Sequence, residues 1–160
     1  MTTPRIYLDK QTPSVFKALR ATAAEVRARA AEAGLAHITL ELVNLRVSQI
    51  NRCAYCLDLH THLALQAGET TQRLAVLPGW RDTQLFSETE RAALELAEAV
   101  TLVASDHLSD EEYARARAIL SDDEISVLLW AAITINAFNR VSILSRHEIT
   151  RRDVPRTPSQ

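Results

Sequence analysis

Apolar positions along this chain recur at helical rather than strand spacing. The run Ile38-Thr-Leu-Glu-Leu-Val-Asn-Leu-Arg-Val is apolar except for a narrow stripe, in which Glu41, Asn44 and Ser48 fall at i, i+3 and i+7. That period places the three side chains on one face of an α-helix. Further on, Ala93, Leu96, Val100 and Val103 form an apolar stripe beside a charged one, Glu88, Arg91, Glu95 and Glu98, so this helix is expected to pack by a single face. Residues 128–144 are apolar nearly all round, interrupted by Asn136 and Asn139, which predicts a central helix or one covered by a partner subunit. No stretch alternates with a strand period of two.

Start and stop signals sharpen these elements. Ser87/Glu90, Ser109/Glu112 and Ser121/Glu124 are S-x-x-E capping boxes, in which the serine side chain takes an orphan amide and the glutamate reaches back to the cap. Gly34 follows the alanine-rich segment 14–33, Gly68 follows a cysteine-bearing segment, and Gly79 sits in a Pro-Gly turn, the punctuation expected at helix ends. The predicted fold is all-α, one domain over residues 1–150 with about seven helices and no internal repeat. Residues 77–86 are expected as a loop, and 151–160 as a basic, Pro-containing tail that is mobile unless another subunit holds it.

Composition narrows the function classes. With 160 residues and 47% hydrophobic content, the chain can bury an adequate single core. A net charge of −2 offers no electrostatic footprint for nucleic acid or an anionic membrane. With glycine only at 34, 68 and 79, no glycine-rich phosphate loop exists, and no nucleotide cofactor is expected. The amino terminus, Met1-Thr-Thr-Pro-Arg-Ile, lacks a basic region followed by an apolar run, and charges break the apolar stretches short of a membrane span; a cytoplasmic location is expected.

The sequence Cys53-Ala-Tyr-Cys56-Leu-Asp-Leu-His60 adds chemistry. Positions 53, 56 and 60 fall at i, i+3 and i+7 and project from one helix face. Cα atoms three apart on a helix sit at roughly 5 Å, within reach of a disulfide, so the pair can close and open with little backbone movement. A helix beginning near Asn51 or Arg52 puts Cys53 in its first turn, where free amides, the macrodipole and the Arg52 charge favour a thiolate. His60, one turn beyond Cys56, is placed to take that thiol's proton; the order in which the cysteines act stays open. Glu41 is the leading candidate to orient His60, if its helix packs antiparallel to the cysteine helix. The alternative for a single helical glutamate is a solvated side chain.

These are the only two cysteines, and one short loop constrains little of an unfolded chain, so reactivity explains the pair better than stapling. Two other readings remain open. The thiols can be inert core residues, or they and His60 can bind zinc with a fourth ligand from His37, His107 or His147, although structural zinc sites usually staple separate segments. His62 falls off the cysteine face and can pair with Asp58 at i+4. The remaining histidines show no partner, and Trp80, Trp130 and Phe138 are expected as core or interface anchors.

Glu41, eleven intervening residues, then Cys53-x-x-Cys56-x-x-x-His60 resembles the signature of the alkylhydroperoxidase D-like (AhpD-like) proteins of the carboxymuconolactone decarboxylase superfamily. Leu45-Arg-Val-Ser-Gln-Ile-Asn, Ala67-Gly68-Glu69, Trp80-Arg81-Asp82-Thr83 and Ile135-Asn136-Ala-Phe-Asn139-Arg140 are similar to family segments in the same order, so the likeness covers most of 38–145. The resemblance implies an all-helical fold assembled as a homotrimer or homohexamer. It also implies a thiol-dependent peroxidase or disulfide reductase active against organic hydroperoxides; an external dithiol must then regenerate it, and no metal is expected. By this carry-over, Cys53 and Cys56 cycle between dithiol and disulfide through a sulfenic acid, while His60 and Glu41 relay protons. Some members carry a histidine just before the second cysteine, where this chain has Tyr55. The lactone decarboxylases of the superfamily generally lack the thiol pair, so its presence argues against decarboxylation. From a different class, a non-catalytic redox-sensing oligomeric module is the alternative.

Overall fold

A computed structural model describes residues 3–152. Among them the chain forms helices α1 (Leu8–Gln11), α2 (Pro13–Glu32), α3 (His37–Asn51), α4 (Ala54–Gln66), α5 (Thr71–Val76), α6 (Glu88–Thr101), α7 (Asp110–Ile119) and α8 (Asp122–Ser145), with a 3₁₀ helix at Leu77–Asp82. The all-α expectation holds. All three capping boxes close, with Ser87, Ser109 and Ser121 each accepting an N3 amide and Glu90, Glu112 and Glu124 reaching back, which is why α6, α7 and α8 begin where their serines place them. Gly34 and Gly68 follow α2 and α4 at φ +85° and +95°, in the left-handed region that a Cβ disfavours.

Helix α3 lies at the centre. Its Leu40, Val43 and Val47 join Leu96, Leu128 and Ile135 in one buried cluster, while Leu42 and Leu45 join Leu77, Trp80 and Leu94 in another. A helix packed on both sides needs apolar residues nearly all round, and so its polar stripe is narrow. Helix α8 packs against α2, α3, α4 and α6, as a central helix should. Its apolar length also satisfies a bilayer criterion, with 24 residues and mean hydropathy 1.5, contrary to the expectation that every apolar stretch falls short; half of that window is buried within the domain. One stripe of α8 stays uncovered: Trp130, Ile133 and Leu144 are 53%, 47% and 55% exposed.

The polar interruptions of α8 join the helices at the level of the cysteines. Asn51 donates its amide to Asn136 and Asn139 at 2.8 and 2.9 Å, Asn139 donates to Ser48 Oγ at 3.0 Å, and Asn136 donates to Thr101 Oγ1 of α6 at 3.0 Å. Every member of this buried chain has a partner, so the cost of taking it out of water is offset and the register of α3 against α8 is fixed.

Four sequence expectations need correction. The 77–86 loop contains the 3₁₀ helix, because Pro78 pre-sets its start and Trp80 is drawn into the core at 4% exposure. Glu98 leaves the charged face of α6: it accepts from Trp80 Nε1 at 2.8 Å and Arg46 Nε at 2.7 Å, and pairs with Arg81. Val103 lies beyond the end of α6 and is exposed. Asp58 pairs with Arg152 rather than with His62, which brings the start of the expected tail back to α4; residues 153–160 lie outside the described residues. Among the aromatic anchors, Trp80 is core, Phe138 packs edge-on against Phe16, and Trp130 is at the surface.

Glu98→Ala is expected to lower the unfolding free energy by about 3 kcal/mol in urea denaturation, because it strands the Trp80 and Arg46 donors. Glu95→Ala, which loses only a pair with a half-exposed Arg115, should cost less than about 1 kcal/mol. Burial pushes the Glu98 carboxyl up, but the bonds from Trp80, Arg81 and Arg46 outweigh it and hold its pKa below the ordinary 4.5. Its contribution is therefore complete above pH 4.5 and fades as the pH falls through the lower folded-state value, so the gap between wild type and Glu98→Ala should narrow in acid.

Candidate functional site

The hairpin of α3 and α4 brings the sequence-predicted residues together. Helix α3 ends at Asn51, and Arg52 turns the chain in the left-handed region at φ +56°, with the Cys53 amide bonded back to Ser48 O at 3.0 Å. A non-glycine residue in this conformation costs about 1–3 kcal/mol and persists where surrounding structure over-determines it. Cys53 is consequently the N-cap of α4, one position outside the helix rather than inside its first turn, and its sulfur accepts the Cys56 amide at 3.4 Å.

The two thiols are buried and unbridged, with Sγ to Sγ at 2.7 Å. The Cys56 thiol donates to Cys53, which lowers the Cys53 pKa from 9.0 to about 7 against the opposing effect of burial, helped by the Cys56 and Tyr55 amides and by Ser142. Cys56 is pushed up by that same bond and by burial. The pair thus holds one readily lost proton and one tightly held proton, and the first belongs to the pair as a unit. Arg52 is exposed, and the bond from the Cys56 thiol provides the principal support for the thiolate, with the amides at the start of α4 adding to it.

Glu41 is 3% exposed and accepts from His60 Nδ1 at 2.7 Å, with His37 Nε2 at 3.6 Å from its other oxygen. The solvated alternative for Glu41 is therefore excluded by its position, and the antiparallel packing of α3 and α4 is what aligns it with His60. With Nδ1–H committed to the carboxylate, His60 Nε2 is left to accept a proton. Glu41, His60 and Cys56 line a cavity of about 490 Å³ whose apolar walls include Leu40, Leu63, Ile135 and Phe138. Cys53 lies behind Cys56, at 1% exposure. Among the described residues, no group of three or more His, Cys, Asp or Glu is arranged to hold a metal ion.

The sequence pattern missed the roles of several residues that meet at this cavity or behind it. Ser142 and Asn139 act on the thiols from α8, both lowering the Cys56 pKa against the larger effects of Cys53 and burial. His147, to which no partner was assigned, lies 2.9 Å from Asp9 and 3.3 Å from Ser142 Oγ. Asp9 and His147 are 138 positions apart, and no periodicity links such distant positions; the available signal was the placement of polar Ser142 in an apolar helix.

The family model for the carboxymuconolactone decarboxylase family matches residues 13–99, more than half of the chain. The uncharacterized protein YdfG of Bacillus subtilis (strain 168) is 43% identical over 105 residues, 66% of this chain and 71% of YdfG. The fold matches the crystal structure of ATU0492 from Agrobacterium tumefaciens, a protein of unknown function described as a candidate antioxidant defence protein AhpD. That match has a TM-score of 0.85 and 33% identity, covering 94% of this chain and 100% of that one. An uncharacterized peroxidase-related protein from Silicibacter sp. TM1040 shares the fold at 22% identity and a TM-score of 0.72, over 82% of this chain and 68% of its own. With the buried thiol pair and its Glu41–His60 partner set in such a helical fold, the chain belongs to the carboxymuconolactone decarboxylase superfamily, as an AhpD-like member.

Proposed function

We propose that this protein is a thiol-dependent peroxidase that reduces organic hydroperoxides and is regenerated by an external dithiol. The observation that supports it best is the thiol pair at 2.7 Å, with Cys56 facing an apolar-walled cavity beside a carboxylate-held imidazole. In this reading the apolar walls receive the alkyl part of the substrate. Cys56, the thiol that faces the cavity, gives up its tightly held proton only as it attacks one oxygen of the O–O bond; that proton passes through His60 Nε2 to the departing alkoxide, giving a sulfenic acid and an alcohol. Cys53 then attacks the Cys56 sulfur and expels hydroxide, which leaves as water once protonated. The product is a Cys53–Cys56 disulfide, and two electrons from the external dithiol restore the starting state. A reducing compartment such as the cytoplasm keeps the pair ready for the next cycle.

The proposal includes assembly. Trp130, Ile133 and Leu144 lie on one side of α8, and a closed symmetric homotrimer or homohexamer covers such a stripe.

Purified protein with dithiothreitol and cumene hydroperoxide should consume the hydroperoxide catalytically. His60→Ala should lower turnover by about 10²–10⁴-fold, the usual contribution of a general acid–base, and Glu41→Gln should lower it by a smaller factor. Reduction of small disulfides without hydroperoxide consumption would identify a disulfide reductase serving a separate peroxidase, and no turnover with excess reductant would identify a redox sensor; either result overturns the peroxidase reading.

The thiolate should also titrate. Alkylation of the reduced protein is expected to be slow below pH 7 and to rise through about pH 7 as the Cys53–Cys56 pair loses its first proton. An inflection near pH 9 would show that the contacts around Cys53 do not stabilise the thiolate. For assembly, light scattering should report a mass several times the 17.8 kDa of one chain, and a stable, active monomer would rule the oligomer out.

A further inference from the structure

The cavity contains a second carboxylate–imidazole pair, outside the residues used above. Asp9 Oδ1 is 2.9 Å from His147 Nε2, and Ser142 Oγ is 3.3 Å from His147 Nδ1; all three line the same cavity as Cys56. The His147 and Asp9 side chains retain only 14% and 12% exposure. Tyr7 stacks on the imidazole at 5.4 Å and Tyr55 meets it edge-on at 5.3 Å, so the ring is held while both nitrogens face polar partners. The backbone is shaped for this too. Arg146 ends α8 in the left-handed region at φ +53°, the His147 amide returns to Ser142 O at 3.1 Å, and the Leu8 amide donates to Ser145 Oγ at 3.0 Å, fixing α1 against the end of α8.

The proposed turnover leaves one proton without a carrier. The Cys56 proton travels through His60 to the alkoxide. The Cys53 proton must leave when its thiolate forms and return when hydroxide is expelled. We propose that Ser142, His147 and Asp9 form the relay that takes up and returns this second proton, an inference that rests on the dithiol reading above. Ser142, which lines the same cavity as Cys56, takes the proton that the Cys53–Cys56 pair gives up as it passes its own to His147 Nδ1, and the imidazolium is paired with Asp9 through Nε2–H. When the S–S bond forms and the S–O bond of the Cys56 sulfenic acid breaks, the chain runs backwards. Hydroxide becomes water, and His147 is neutral again. Ser142 lowers the pKa of both thiols, as a donor to a thiolate should.

The charges around His147 suit an imidazolium–carboxylate pair. Lys10 sits 3.4 Å from the other Asp9 oxygen. Burial pushes the Asp9 carboxyl up, but its bonds to His147 and Lys10 outweigh this and hold it below the ordinary value, so Asp9 stays ionised at neutral pH. From α2, Arg20 and Arg27 reach the cavity; from α3 and α4 come Glu41, His60 and Tyr55. Of these, Glu41 is committed to His60, which leaves Asp9 as the carboxylate for His147. Because His147 reaches the sulfurs through Ser142, it is a positioning residue for the thiolate.

The test is the pH profile of iodoacetamide alkylation of the reduced, full-length protein, with no hydroperoxide present. His147→Gln should lower the rate near pH 7 about tenfold, equivalent to one unit in the thiol titration, with the rate recovering at alkaline pH. His147→Phe, which keeps a ring against Tyr7, should behave in the same way. Ser142→Ala and Asp9→Asn should shift the profile in the same direction. A wild-type profile in His147→Phe and Ser142→Ala, with native circular dichroism, overturns the relay, and so does an equal fall at every pH, which marks packing alone. Alkylation needs no substrate, so a shifted profile without hydroperoxide turnover retains the relay and refutes the peroxidase reading. Turnover with an unshifted profile does the reverse.

Discussion

A carboxylate that is 3% exposed has to be paired, and the pairing of Glu41 with His60 at 2.7 Å is the constraint on which the site depends. It requires α3 and α4 to run antiparallel with a short connection, and it commits one imidazole nitrogen so that the other faces the cavity. Such a pair is a poor stability device, because taking both groups out of water costs about as much as their attraction returns, and apolar residues of similar volume would do as well. What the pair does from this buried helix is positional: it fixes the orientation and tautomer of an imidazole that lines the same cavity as Cys56.

The rest of the scaffold holds this hairpin in place. Two clusters of charged residues do so from the side of α6: Glu98 gathers Trp80, Arg46 and Arg81, and Arg73 joins Glu69, Glu90 and the Leu85 carbonyl. From the side of α8, the Asn51, Asn136, Asn139 and Ser48 network fixes the register of the helix that delivers Ser142. The role of these groups is to set distances around the sulfurs.

Two left-handed arginines stand at matching places. Arg52 ends α3 immediately before Cys53, and Arg146 ends α8 immediately before His147. In each case the following amide bonds back to the helix it has just left, so a sharp stop sets the side chain of Cys53 or His147 at the rim of a core helix. At the two other positive-φ positions, Gly34 and Gly68, the chain uses glycine and no chemistry follows. Among the described residues, positive φ without glycine occurs only at these two arginines, both beside the candidate site.

Much of the helical framework was legible in the sequence, because helix formation is largely local. The capping boxes at Ser87, Ser109 and Ser121 and the 3.6-residue spacing in α3 and α6 each act within a few residues. The Cys53, Cys56 and His60 grouping is local in the same sense, and the narrow stripe through Glu41 marked the face that meets it. The sequence did not reveal that Cys53 caps α4, because an arginine supplies the left-handed stop where a glycine would have announced it. Nor did it reveal that Glu98 turns inward to Trp80, or that Asp9 and Ser142 meet His147. Those contacts join side chains from opposite ends of the chain or from different helices, and their geometry is decided by how apolar faces pack together, which no local pattern encodes. The sequence by itself determined the helices and the grouping of two cysteines and a histidine at one of them; the tertiary structure decided which polar groups surround the sulfurs, since only packing brings such groups within hydrogen-bond range.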